Sequence, residues 1–200
     1  MIHFYGSPMS SSGRTHLMLE EAGVPYEYHR VTLRDPAQKA AFLEVHPGGK
    51  IPYLVDGDVR LAESVAINFY LAEKYKPEMW ASSVEERAAI FQWSLWGIST
   101  LQPEALRVLH HAMIVPAESR SAYEVETGKK NVARLLEHLE RTLPADGFLA
   151  GGRFTVADVN VASAVNLATA MCGAKLGERA GAWFAACKAR PAWQKILTAG

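Results

Sequence analysis

Over its first 75 residues the chain alternates between the two-residue period of strands and the three-to-four-residue period of helices. Ile2 to Tyr5 is a short β-prone run, followed by a loop from Gly6 to Gly13 rich in Gly, Pro and Ser. From Arg14 to Ala22 the residues Leu17, Met18 and Ala22 share one helical face, Glu20 and Glu21 lie elsewhere, and Gly23 with Pro25 beyond it ends the helix. Tyr26 to Leu33 predicts a second strand, and Asp35-Pro36 opens a second helix through Val45. Tyr53-Leu54-Val55 and Val59-Arg60-Leu61, joined through Asp56-Gly57-Asp58, predict a hairpin, because an Asp-Gly pair supplies the positive backbone angles of a tight turn. Ile67, Tyr70, Leu71 and Tyr75 then mark a third helix with one apolar face.

Beyond Tyr75 the helical period persists. Lys76 to Ser83 reads as a linker, since Pro77 forbids simple continuation of the helix and Ser83-Val84-Glu85-Glu86 is a capping-box pattern. Helices are predicted over residues 84–113, 117–143, 156–171 and 178–189, with a short end after Pro191 and a bend at Pro103. Thr155 followed by Asp158 repeats the capping pattern, with the carboxylate able to accept from the Thr155 backbone N–H. The pattern implies an α/β domain over residues 1–76, of thioredoxin-like element order β-α-β-α-β-β-α, and an all-α domain over residues 84–200.

Composition narrows the possible partners. Lys plus Arg and Asp plus Glu both count 21, and a net charge of zero without a basic cluster argues against nucleic acid or an anionic membrane. The start MIHFYGSP lacks the basic and apolar regions of a secretory signal. The longest uncharged stretch, Val159 to Ala174, is interrupted by Asn160, Ser163, Asn166 and Thr169 and falls short of the roughly 20 apolar residues of a membrane helix. A cytoplasmic protein is the expectation. Cys172 and Cys187 are too far apart for a Cys-x-x-Cys motif and read as free thiols. His110 and His111 are adjacent on a helix and point about 100° apart, so they are no chelating pair, and no metal is expected. Trp93 and Trp96 read as core, and phosphate-loop, dinucleotide and Gly-x-Ser-x-Gly patterns are missing.

The chemistry concentrates between His46 and Tyr75. Pro47, Gly48 and Gly49 force a turn just ahead of Ile51-Pro52, where a strand starts at a residue with no backbone N–H. An X-Pro bond is the least costly to hold in cis, and a cis bond here turns the Ile51 N–H and C=O outward, towards a peptide-like ligand. Glu63 and Ser64 follow at a helix start, whose free N–H groups and partial positive charge suit a carboxylate while Glu63 suits an ammonium. That combination describes an amino-acid head group. Ser64 taken alone reads as a helix cap.

The ordered set of turn, Pro52 strand, hairpin and Glu63-Ser64 resembles the glutathione-binding half of the glutathione S-transferase superfamily. Gly151-Gly152, then Thr155-Val156-Ala157-Asp158, is similar to the motif that caps a buried helix in that superfamily's second domain, so the resemblance spans the chain. It implies the transferase fold, with the backbone of Ile51, before Pro52, pairing with the cysteinyl part of glutathione and Glu63 and Ser64 holding the γ-glutamyl end. It further implies glutathione as co-substrate, a homodimer, and detoxifying conjugation to a small, largely apolar electrophile. Lys50 could reach the glycyl carboxylate, with Lys39 a weaker candidate, and His46 stands where many members carry Asn.

With glutathione placed so, its sulfur lies near the loop holding Ser10, Ser11 and Ser12. A free thiol has a pKa near about 8.5, so only about a few per cent is thiolate at neutral pH. Lowering it by about two pH units takes about 2.7 kcal/mol, within reach of one charge-assisted hydrogen bond beside a helix start. A serine would donate that bond while glutathione itself attacks. Against the serine-using phi, theta and zeta kinds, the loop Pro-Met-Ser-Ser-Ser-Gly-Arg puts Ser10 or Ser11 at the catalytic position. The bacterial beta kind has cysteine where Ser10 stands, so mixed-disulfide chemistry is not expected. Ser12 is the serine more readily explained as cap or loop, and Tyr5 is a rival donor that strand alternation explains as packing. His110, His111 and Met113 are weaker candidates for the acceptor pocket. A glutathione-dependent isomerase or dehalogenase, and a non-catalytic interaction protein of the same fold, are the alternatives.

Overall fold

The computed structural model of the chain describes residues 1–8, 10–145 and 147–198. It forms two units: Met1–Trp80 together with the chain from Arg190, and Ala81–Ala189. The first contains β1 (Ile2–Gly6), α1 (Ser12–Ala22), β2 (Tyr26–Arg30), α2 (Pro36–Val45), β3 (Tyr53–Asp56), β4 (Val59–Ala62) and α3 (Ser64–Tyr75). The element order is the thioredoxin-like one the pattern predicts.

The strands lie in the order β2-β1-β3-β4, with β2 parallel to β1 and β3 antiparallel to both β1 and β4. Alternation sorts β1 into two faces. Phe4 is fully buried and stacks on Tyr28 with ring centroids 5.2 Å apart, in a core shared with Leu17, Met18, Leu54, Ile67 and Leu71. On the opposite face Tyr5 packs with Phe42, Tyr53 and Val31. β2 ends at Arg30, short of the predicted Leu33, after which the Val31 N–H donates to the Gly6 carbonyl. Asp35 caps α2, accepting from the Ala37 and Gln38 N–H groups, and Gly23 closes α1 in the left-handed conformation.

The second unit is helical: α4 (Val84–Leu95), α5 (Gln102–Leu109), α6 (Ala122–Thr142), α7 (Val156–Cys172) and α8 (Glu178–Lys188). Ahead of Pro103, where a bend is expected, the helix turns π-helical over Trp96–Leu101, immediately before α5, with the Gln102 N–H donating to the Gly97 carbonyl. A second π-helical stretch, His110–Ile114, follows α5. Residues that the pattern joins to α6 from 117 form a separate turn, and α6 starts at Ala122. Ser83 caps α4 as predicted, but Glu86 does not close the box onto Ser83: its Oε2 accepts from the Ser82 N–H and hydroxyl, and it forms an ion pair with Arg153.

α7 is the buried axis of this unit. Gly97 faces the Val161 backbone at a distance that leaves ordinary contact for nothing larger than a methyl, and Asn160 donates to the Ser94 hydroxyl at 3.1 Å. Asp158 starts the helix as the capping pattern predicts, accepting at Oδ2 from the Thr155 N–H (2.8 Å) and hydroxyl (3.0 Å) and at Oδ1 from the Leu149 N–H (3.1 Å) and Trp183 Nε1 (2.8 Å). Burial pushes its carboxyl pKa up, with these four donors working against the rise. Cys187 is buried and Cys172 half-buried, and neither forms a disulfide.

The last helix, α9 (Pro191–Thr198), corrects the expected domain boundary at residue 200. It packs on α1 and belongs to the first unit, so the helical unit ends at Ala189. Ala192 and Trp193 are buried there, and ion pairs flank them: Arg190 donates from Nε and Nη2 to the two Glu21 carboxylate oxygens at 2.6 and 2.7 Å, and Lys195 pairs with Glu20 at 2.5 Å. Among the described residues no helix is long and apolar enough to cross a membrane.

Candidate active site

Tyr53 of β3 pairs with Ala62 of β4, which sets Pro52 and Glu63, the residues flanking that pair, at the same end of the first unit's sheet. The His46 carbonyl accepts from Gly49, whose φ of +58° is a conformation that favours glycine, and the chain then reaches Ile51. The Ile51-Pro52 bond is cis, as expected. His46 stacks on Tyr53, ring centroids 4.2 Å apart and 15° from parallel, which gives it a packing role in the turn. The hairpin closes through a two-residue turn, with Asp56 opposite Val59 and Gly57 at φ +59°.

The turn into α3 is strained. Glu63 adopts φ +68°, the one non-glycine residue with positive φ among those described, and occupies the N-cap position. Ser64 is therefore the first helical residue and not the cap its type suggests, and no side chain caps this helix start. Ser64 is buried, while Glu63 and Lys50 are exposed, as is Lys39 on α2.

α1 starts beside this turn. Two hydrogen bonds fasten the helices: the Thr15 hydroxyl donates to the Ser64 carbonyl (3.4 Å), and Asn68 Nδ2 donates to the Arg14 carbonyl (3.2 Å). Sequence reasoning does not single out Thr15 or Asn68. A polar Asn inside an otherwise apolar helix face is the signal that points to a buried acceptor. The Arg14 side chain is also buried, which lowers its pKa to about 10 and leaves it cationic at neutral pH.

The three serines divide their roles. Ser10 is exposed; its hydroxyl donates to the Ser7 carbonyl at 2.7 Å and accepts from the Ser12 N–H at 3.1 Å, at the first turn of α1. Ser11 is half-buried and donates to the Ile51 carbonyl at 3.4 Å, joining the serine loop to the residue before Pro52. Ser12 is buried under Gly6, where a Cβ on the glycine would lie 2.9 Å from the serine's own. Met9 of the same loop lies outside the described residues. Tyr5 stacks on His29 with centroids 4.5 Å apart, a packing contact, and burial, with Glu27, raises its phenol pKa, so it stays protonated.

A mixed sheet of this order with a cis Pro52 at a strand entry defines a thioredoxin-like domain, here followed by a helical unit. Comparison with known proteins narrows the class. The family profile described as the glutathione S-transferase N-terminal domain matches residues 8–74, and that of the C-terminal domain matches residues 105–191. Glutathione S-transferase 3 of Zea mays is 34% identical over 209 residues, covering 99% of this chain and 94% of its own. Glutathione S-transferase theta-1 of Rattus norvegicus is 32% identical over 151 residues, covering 72% of this chain and 63% of its own. A theta class glutathione S-transferase from Xanthomonas axonopodis pv. citri, solved with glutathione bound, superposes with a TM-score of 0.85 at 28% identity, covering 98% of this chain and 96% of its own. The chain belongs to the glutathione S-transferase family of enzymes.

Proposed function

We propose that the chain binds glutathione at the first unit and conjugates its thiolate to a small, largely apolar electrophile held by the helical unit, acting as a homodimer. The observation that carries this reading is the Ser11–Ile51 hydrogen bond, which sets the serine loop against the backbone expected to pair with a cysteinyl group. In this reading the Ile51 backbone next to Pro52 holds the cysteinyl residue, Glu63 and Ser64 with the uncapped start of α3 hold the γ-glutamyl end, and Lys50 meets the glycyl carboxylate.

Ser10 activates the thiol. Its oxygen already accepts from the Ser12 N–H, which polarises the hydroxyl for donation, and a thiolate would take the place of the Ser7 carbonyl as its acceptor. The adjacent start of α1 adds a favourable dipole. Ser11 holds the loop in register with Ile51. The electrophilic carbon is then attacked by sulfur and its leaving group departs with the bonding pair.

The test is the thiolate absorbance of bound glutathione, near about 240 nm, followed against pH in the wild type, Ser10→Ala and Ser11→Ala. The expected result is an ionisation depressed by about two pH units in the wild type and returned towards the free value in Ser10→Ala. Return in Ser11→Ala alone overturns the choice of serine. Binding with no depression in the wild type overturns conjugation by an activated thiolate, and failure to bind at millimolar glutathione overturns the reading altogether. Sedimentation of the intact chain at a single-subunit mass would remove the homodimer.

A further inference from the structure

The parallel register of β1 and β2 brings together three side chains that the glutathione site does not use. His3 lies opposite Glu27, and Tyr5 opposite His29, so that His3, Glu27 and His29 emerge on the same sheet face as neighbours. His3 Nδ1 stands 3.1 Å from His29 Nε2 and 3.3 Å from a Glu27 oxygen, while the other Glu27 oxygen stands 3.6 Å from His29 Nε2. All three groups are reachable from solvent, with side-chain exposures of 37%, 54% and 31%.

We propose that His3, Glu27 and His29 form a binding site for a divalent zinc-class cation, clamping the edge strand β2 to β1. Three ligands about 2.0–2.1 Å from a tetrahedral zinc ion are separated from one another by about 3.3–3.4 Å. The two nitrogens stand close to that value, and the 3.3 and 3.6 Å contacts run to different Glu27 oxygens; with one ligand atom from each residue the three lie within 4.8 Å of one another, so the exposed carboxylate turns to set one oxygen against both nitrogens when a cation binds. The two facing nitrogens, His3 Nδ1 and His29 Nε2, lie at hydrogen-bond distance, so that without a cation one imidazole donates to the other. With His3 as the Nε2–H tautomer and His29 as the Nδ1–H tautomer, both facing nitrogens present lone pairs. Two neutral imidazoles and a carboxylate carry one negative charge, which a divalent cation converts to one positive, and the exposed fourth position is filled by water.

The two imidazoles are already oriented by ring stacking. His29 stacks on Tyr5, 14° from parallel, and His3 lies against His29 with centroids 5.3 Å apart, so little side-chain freedom is lost when a cation binds. No short motif contains this site, since one ligand comes from β1 and two from β2, at i and i+2 on one strand face.

The experiment is calorimetric titration of the untagged full chain with zinc chloride, without glutathione because its thiol binds zinc, alongside His3→Ala, Glu27→Gln and His29→Ala. His111→Ala and Cys172→Ser serve as controls at other zinc-capable groups. One zinc per chain at micromolar affinity is expected, weakened at least about tenfold in each of the three variants and unchanged in the controls. Zinc should raise the thermal midpoint of the wild type and not that of Glu27→Gln, an exposed and isosteric change that leaves the fold in place. The proposal is overturned if zinc does not bind below about 1 mM, if binding survives Glu27→Gln and His29→Ala undiminished, or if a control abolishes it.

Discussion

Asn68, fully buried on α3, donates through Nδ2 to the carbonyl of Arg14 on α1 at 3.2 Å. Together with the Thr15–Ser64 bond it sets the separation of two helix starts, one carrying the serine loop and the other Ser64. Removing a buried donor whose partner stays behind costs about 1–3 kcal/mol. Asn68→Ala should therefore lower the thermal midpoint by several degrees and raise KM for glutathione in the fraction that remains folded. A variant with wild-type midpoint would show that these helices are held by apolar packing alone.

Asp158 carries a comparable burden in the helical unit, where one carboxylate serves four donors. Asp158→Ala leaves two backbone N–H groups and the Trp183 indole N–H buried without an acceptor, an expected loss of roughly 3 kcal/mol or more. Because this residue lies outside the unit that carries the serine loop and Ser64, glutathione KM in the surviving folded protein should stay within about twofold. Equilibrium unfolding in urea checks the first claim and initial rates the second.

What could be read from the sequence was what short-range chemistry determines. The Asp56-Gly57 turn, the cap at Asp35, the left-handed Gly23 and the Thr155–Asp158 pair each depend on neighbours within three residues, and each is found where the pattern places it. The misses involve longer reach or competing partners. Ser64 looks like a cap, but the positive φ at Glu63 moves the helix start by one residue. Glu86 finds Ser82 and Arg153 instead of closing its box, and α9 is claimed by Glu20 and Glu21, about 170 residues earlier in the chain. The grouping of His3 with Glu27 and His29 exists only once the β1–β2 register is known.

Asp56 links the hairpin to α3 and makes the first unit acid-sensitive. It accepts from Lys74 Nζ at 2.7 Å and from the Tyr70 hydroxyl at 2.6 Å, with Tyr75 a third donor. Partial burial raises its pKa, but these donors outweigh that and bring it down to about 2. An acid held below its unfolded pKa of about 3.9 stabilises the fold fully above that value and loses the contribution as pH falls through about 2. After allowance for solvent screening the contribution is about 1 kcal/mol. Thermal midpoints between pH 5 and pH 2 should fall less steeply for Asp56→Asn than for the wild type, from a lower starting value. Parallel curves would show that the carboxylate gains nothing from its three donors.

Lys50 tests the glutathione orientation from its far end. An exposed lysine meeting a carboxylate across solvent contributes up to about 1 kcal/mol, equivalent to about fivefold in affinity. Lys50→Ala should therefore raise KM for glutathione by about that factor with kcat unchanged, because the contact is made equally in the ground and transition states. Salt supplies the second readout. Screening over a Debye length of about 8–10 Å should raise the wild-type KM as ionic strength increases and leave the variant nearly flat. Equal salt dependence in the two proteins would move the carboxylate contact to another cation, with Lys39 on α2 the next to substitute.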